Sequence, residues 1–134
     1  MLSTKDGDFR AVIWDFEQPD QKVSNRPFYT KLIPAHEAAP VELHVTHLVP
    51  NADYRLKVHR TGYRANDAYS AYIEMGSPTD LSAAQVAQLN KLTRDLPETD
   101  KVVRSGSDGT IEFSVPMNSN DIVLVELEHS EASK

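Results

Sequence analysis

Twenty Asp and Glu residues and five His are the side chains that could move protons or hold a metal, so their spacing is the first question. Hydrolysis of a glycosidic bond needs two carboxyl groups facing each other across a sugar. Among twenty acids, pairs are inevitable and carry no information by themselves. Asp67 and Glu74 are the most interesting, because they flank an aromatic stretch, Tyr69 to Tyr72. Solvated or structural carboxylates are the commoner reading there. The histidines are His36, His44, His47, His59 and His129. His44 and His47 are three apart, which on a strand puts them on opposite faces. No His-x-x-x-His or cysteine pair accompanies them, so solvated strand histidines are the plain reading. Asp6-Gly-Asp8 and Ser107-Asp-Gly109 are the nearest calcium candidates, but both read as turns. Ser105-Gly-Ser-Asp-Gly109 lacks the spacing of a nucleophile elbow. Neither a catalytic set nor a cofactor motif emerges.

Rings and hydrogen-bonding groups do cluster. Tyr63, Tyr69 and Tyr72, with Trp14, Phe28 and Tyr29, could stack on pyranose faces. Arg60, Arg64, Asn66 and Asp67 lie beside them. Aromatics also favour strands, cores and interfaces, and packing is their commoner use.

The elements that must position these residues are mostly strands. Phe9 to Phe16 is apolar and β-branched and reads as a strand buried on both faces, with Trp14 in the core. Glu17 to Arg26 reads as a loop holding Pro19. Phe28 to Ile33, bracketed by Pro27 and Pro34, reads as an edge strand. Val41, Leu43 and Val45 alternate with Glu42, His44 and Thr46. Tyr54, Leu56 and Val58 point one way, and Arg55, Lys57 and His59 the other. A Leu-x-Pro turn leading into a Tyr-started strand is a feature of immunoglobulin-like sandwiches, where the tyrosine bonds to nearby backbone. After the polar loop at residues 62–67, the aromatic stretch at 69–73 reads as a resumed strand.

One helix is expected over about residues 83–94, folded onto the sandwich. Ser82 and Gln85 form a capping box, with Leu81 and Val86 as its staple. Leu81, Leu89, Leu92 and Leu96 share a side, and Pro97 stops the helix. Val102 to Ser105 and Thr110 to Val115 flank Gly106-Ser-Asp-Gly109 and read as a hairpin. Asp121 to Leu127 reads as a central strand. About eight strands and one helix imply a mainly β, immunoglobulin- or fibronectin-like antiparallel sandwich over residues 1–134, with 1–8 and 129–134 frayed.

The 134 residues fit one such domain of about 100 residues. They do not fit a β/α barrel, which needs at least about 200. Hydrophobic residues make up 40% and charged residues 25%, the profile of a soluble globular domain. A formal net charge of −6 without a basic stripe argues against nucleic acid as a partner. No apolar run is long enough to span a bilayer. The chain has no cysteine, which excludes disulfides and leaves the compartment open. No charged-then-apolar leader opens it.

Six segments, in order, resemble the C-terminal β-sandwich domain of glycoside hydrolase family 39, the β-xylosidases and α-L-iduronidases. They are Ala11 to Phe16, Val23 to Tyr29, His59 to Tyr69, Tyr72 to Pro78, Leu81 to Gln85 and Asn120 to Val125. The bacterial β-xylosidase branch is the nearest, and His59 to Pro78 is the most specific part. In that family a separate barrel performs retaining hydrolysis with two glutamates, the acid/base lying in an Asn-Glu-Pro motif. No Asn-Glu-Pro occurs here, so no catalytic residue carries over. The resemblance implies a non-catalytic fragment whose partner is the barrel, normally in the same polypeptide. It implies that His59 to Met75 forms the contact. The expected barrel-interface or sugar-contact residues are His59, Arg60, Tyr63, Arg64, Asn66, Asp67, Tyr69 and Tyr72. Xylo-oligosaccharide is the alternative ligand, and no metal or cofactor is implied.

Overall fold

Apolar residues at alternate positions of five strands build the core. In the computed structural model, which describes residues 2–5, 7–17 and 31–130, β4 (Asp53–Thr61) and β7 (Ile122–His129) lie at the centre of the larger sheet. β2 (Asp8–Trp14) pairs with the other side of β7, and β1 (Leu2–Lys5) pairs with β2. β5 (Thr99–Arg104) closes the far edge beside β4. All these pairings are antiparallel. A second sheet holds β3 (Glu37–Val45) and β6 (Ile111–Asn118), with a bulge between Ala38 and Val41.

The register places Phe9 opposite Leu127, which lies opposite Leu56, and Ala11 opposite Val125, which lies opposite Val58. These residues and Val123 face Val45, Ile111, Val115 and Met117 of the smaller sheet in one core. Each Val, Leu, Ile, Phe or Met side chain among them contributes about 1.5–3 kcal/mol over leaving it exposed. The mainly β antiparallel sandwich expected from the alternation is therefore present, with seven strands among the described residues. The central position of β7 and the alternation of β3 and β4 hold as well.

Tyr54 anchors the turn into β4. Its ring is fully buried, and its hydroxyl accepts a hydrogen bond from the Val49 backbone N–H at 2.9 Å. This is the corner expected from the Leu-x-Pro-to-Tyr pattern.

Several expectations change. Trp14 is 59% exposed, not in the core, and β2 buries only the face bearing Phe9 and Ala11. Leu2–Lys5, expected to fray, forms β1, and His129 belongs to β7. The strand expected over Phe28 to Ile33 lies partly outside the described residues, and Lys31 to Ile33 take no strand. The loop expected over Glu17 to Arg26 lies outside them beyond Glu17.

The aromatic stretch at 69–73 is a helix, α1 (Ala68–Glu74). The Asp67 side chain caps it by accepting from the Ser70 N–H at 3.0 Å. A Schellman ending closes it: Gly76 N–H donates to Ile73 and Ser77 N–H to Tyr72. Gly76 takes the required positive φ of 89°. The second helix, α2 (Ala83–Lys91), has the expected capping box of Ser82 and Gln85. It does not fold onto the sandwich. None of its residues is buried, and it packs beside α1.

The expected hairpin at 102–115 is an arch that crosses between sheets. β5 pairs with β4, and β6 with β3. Its turn is tied to the neighbouring β3–β4 crossing by Leu48 N–H to Gly109 O, at 3.0 Å, and Asn51 N–H to Gly106 O, at 3.1 Å. A Cβ on Gly109 would lie 2.3 Å from the Leu48 carbonyl oxygen, so only glycine lets the crossings touch. Asp108 accepts from the Thr110 hydroxyl at 2.7 Å within the turn.

Arg60 falls on the core-facing side of β4 and is buried. Its Nε and one terminal nitrogen donate to the two Glu98 carboxylate oxygens, each at 2.9 Å. The other terminal nitrogen pairs with the buried carboxylate of Asp121. A fourth bond reaches the Pro116 carbonyl at 2.6 Å. Glu98 does most to raise the Arg60 pKa, burial opposes it, and Asp121 adds to it. Asp121 also accepts from the Asn118 N–H at 2.8 Å. Beside it, a Cβ on Gly62 would lie 2.0 Å from Asp121 Oδ1, so the close approach needs glycine.

Arg60→Met is expected to lower the unfolding free energy by about 3–5 kcal/mol in urea titrations, because it leaves Asp121 charged and buried. Tyr54→Phe, which removes one neutral hydrogen bond, should cost only about 1 kcal/mol in the same assay. The Thr110 hydroxyl holds the Asp108 carboxyl below its ordinary value of 3.8. Its contribution to stability is therefore present above that pH and lost as pH falls through the lower folded value. Carboxyl NMR titration should show Asp108 titrating below 3.8 and Thr110→Val moving it back.

Candidate functional site

The turn after β4 shapes one wall of an open groove. Gly62 and Ala65 bridge across it with two backbone hydrogen bonds of 3.0 Å. Arg64 and Asn66 take positive φ values of 60° and 47°, which Asn tolerates better than other side chains. The Asn66 side-chain amide donates to the Arg60 carbonyl at 2.9 Å and the Leu96 carbonyl at 3.1 Å. The loop is thereby fixed to β4 and to the segment before β5. Asp67 accepts from the Arg64 N–H at 3.1 Å as well as capping α1.

The structure brings together some of the eight residues expected at one contact and places the others apart. Arg60 is buried in its ion pairs. Arg64 turns outward, bonds Glu74 at 2.6 Å and lies over the Tyr63 ring at 5.3 Å. Tyr72 donates to the Pro78 carbonyl at 3.0 Å and holds the exit from α1. His59 lies on the outer face of the larger sheet. Its Nδ1 is 2.7 Å from the Asp95 carbonyl oxygen, and its Nε2 is 3.6 Å from a Glu126 carboxylate oxygen. Tyr63, Asn66, Asp67 and Tyr69 do come together, on one wall of a groove of about 950 Å³.

The rest of the groove comes from distant parts of the chain. Phe16 and Glu17, residues 31–36, and Ser119, Asn120 and Ile122 supply its other walls. Phe16, Ile33, Tyr69 and Ile122 are all at least 43% exposed. Polar groups tie the walls at the rim. His36 Nε2 lies 3.1 Å from a Glu17 carboxylate oxygen. The His36 N–H donates to the Ser119 hydroxyl at 3.1 Å, and the Glu17 N–H to the Asn120 side chain at 2.9 Å. Sequence reasoning missed Phe16, Ile33 and Ile122 as surface residues because it placed them in strands. One signal was available: the apolar run from Ala11 to Phe16 outlasts the charged Asp15, past the end of β2.

Chemically the groove is an apolar trough with a polar rim. Among the described residues, two carboxylates line it and both are engaged, Asp67 by two backbone N–H groups and Glu17 by His36. Among the described residues, no three His, Asp or Glu side chains converge to hold a metal.

No family model matches the chain, and no curated protein does. Solved structures do. The GH39 enzyme from Xanthomonas axonopodis pv. citri is 50% identical with a TM-score of 0.88, over 95% of this chain and 25% of that one. A monomeric β-xylosidase from Caulobacter crescentus CB15 is 47% identical with a TM-score of 0.85, over the same shares. A GH39 β-xylosidase from Caulobacter crescentus is 33% identical with a TM-score of 0.69, over 95% of this chain and 22% of that one. This chain thus spans about a quarter of the length of the enzymes it matches. In fold and in sequence, it is a relative of one β-sandwich quarter of the glycoside hydrolase family 39 β-xylosidases.

Proposed function

We propose that this chain is a non-catalytic accessory domain of a xylan-degrading β-xylosidase. It packs against and braces a catalytic barrel in the same polypeptide. The observation that carries this reading is the coverage: nearly the whole chain matches, yet it accounts for only 25% of an enzyme at 50% identity. Chemistry supports it. Retaining hydrolysis sets two carboxyl groups about 5 Å apart with room for a sugar between them, whereas the two carboxylates among the described residues of the groove are each bound to their own partners. The relative at 47% identity is a monomeric enzyme. We carry that state over, so the partner is the rest of one polypeptide and not a second copy.

A second reading, an independent carbohydrate-binding module, keeps one supporting observation. The Tyr69 ring is 43% exposed on the groove wall and could stack on a sugar. The platform is thin, because Tyr72 is tied to Pro78 and Tyr63 lies beneath Arg64.

Two measurements on the purified chain separate these readings. The accessory role predicts no hydrolysis of an aryl xyloside and no saturable amide shifts with xylo-oligosaccharides up to millimolar concentration. Saturable shifts around Tyr69 that disappear in Tyr69→Ala would establish the binding module instead. Hydrolysis by the chain alone would overturn both.

A further inference from the structure

The outer face of the larger sheet is divided by chemistry. In the cross-strand register, Arg10 lies opposite Glu126, which lies opposite Lys57, and Glu128 lies opposite Arg55. The charges there are paired: Arg10 with Glu126 at 3.0 Å, Lys57 with Glu128 at 2.9 Å, and Arg55 with Asp100 at 2.7 Å. Four residues further along β2, the row becomes Trp14 opposite Ile122. Both are large, apolar and more than half exposed, at 59% and 54%. Ile122 also lines the groove, where Phe16 at 75%, Ile33 at 52% and Tyr69 at 43% continue the apolar surface.

We infer that this surface, centred on Trp14, Phe16, Ile33, Tyr69 and Ile122, is where the sandwich docks on the rest of its enzyme. The inference rests on the accessory-domain reading and gives it an address. Monomeric soluble proteins rarely leave a contiguous apolar patch of this kind open to water, and such patches mark interfaces. The occupant follows from length. Three quarters of each matched enzyme lies outside the matching segment, so a body about three times larger is covalently attached. Tethering makes its effective concentration high. The Glu17–His36 pair at the groove edge suits the polar rim that surrounds an apolar interface core. Val102, 64% exposed among charged neighbours, is a lone apolar residue of the ordinary surface kind and serves as a control. Arg60, expected from the resemblance to make the contact, is buried in its ion pairs and is not part of this surface.

The test replaces the matching quarter of the 50%-identical enzyme with this chain and measures thermal unfolding and protease cleavage at the junction. The parent chimera should unfold in one transition. Phe16→Asp or Ile122→Asp should split it in two and raise the cleavage rate about tenfold, as loss of a packed apolar anchor does. Val102→Asp should do neither. The isolated variants should melt like the unchanged chain, since both side chains are exposed. If Ile122→Asp harms the isolated fold, Phe16→Asp carries the test. A parent chimera that already unfolds in two independent steps would overturn the accessory-domain reading itself. Coupled unfolding that survives both groove variants, or responds equally to Val102→Asp, would overturn only the docking surface. An isolated chain that sediments as a dimer and becomes monomeric on Phe16→Asp would assign the surface to a second copy, and overturn the inference.

Discussion

The buried guanidinium of Arg60 is the constraint around which this sandwich is arranged. A charge removed from water must be met by acceptors on nearly every donor. Here they come from three separate parts of the chain: Glu98 before β5, Asp121 in the β6–β7 turn, and the Pro116 carbonyl of the opposite sheet. One side chain thus fixes both sheets and a connecting turn at a single point. The geometry forces other choices. Gly62 must lack a side chain for Asp121 to approach, and Asn66 must hold the next turn against the Arg60 carbonyl. The groove wall formed by residues 62–70 therefore takes its position from a charge that is largely withdrawn from solvent.

How legible this was in the sequence depends on the range of the forces involved. Alternation along β3 and β4, the Tyr54 corner and the Ser82–Gln85 box are set by residues within a few positions of one another, and all are present. Tyr69, Tyr72 and Ile73 suit a strand by type, so residue type alone points away from the helix at 68–74. Yet Asp67 and Gly76 sit where a cap and a Schellman ending require them. The turn at Gly106–Gly109 has hairpin chemistry, but its partner is the backbone at 48–51, far away in sequence. Local residues cannot specify that choice. Arg60 carried its own sign, since it shares the parity of Tyr54, Leu56 and Val58.

The groove was the least legible part. Among the described residues its walls come from four separated stretches, and only the stretch at 61–70 falls inside His59 to Met75, the contact that the resemblance implies. The residues that make it apolar read as strand residues in sequence, because a hydrophobic side chain left on the surface looks the same there as one meant for the core. The difference is a matter of register. Trp14 and Ile122 face outward because their strand neighbours Ile13 and Val123 face inward, and the pairing between strands decides which.

Trp14 is the chain's sole tryptophan, and its place on the open end of the sheet has an optical consequence. Its indole is already largely in water in the folded chain, so unfolding should change its emission little. Covering that end of the sheet would shift the emission to shorter wavelength. The molecule's built-in fluorophore thus reports less on folding than on whether that end of the sheet is covered.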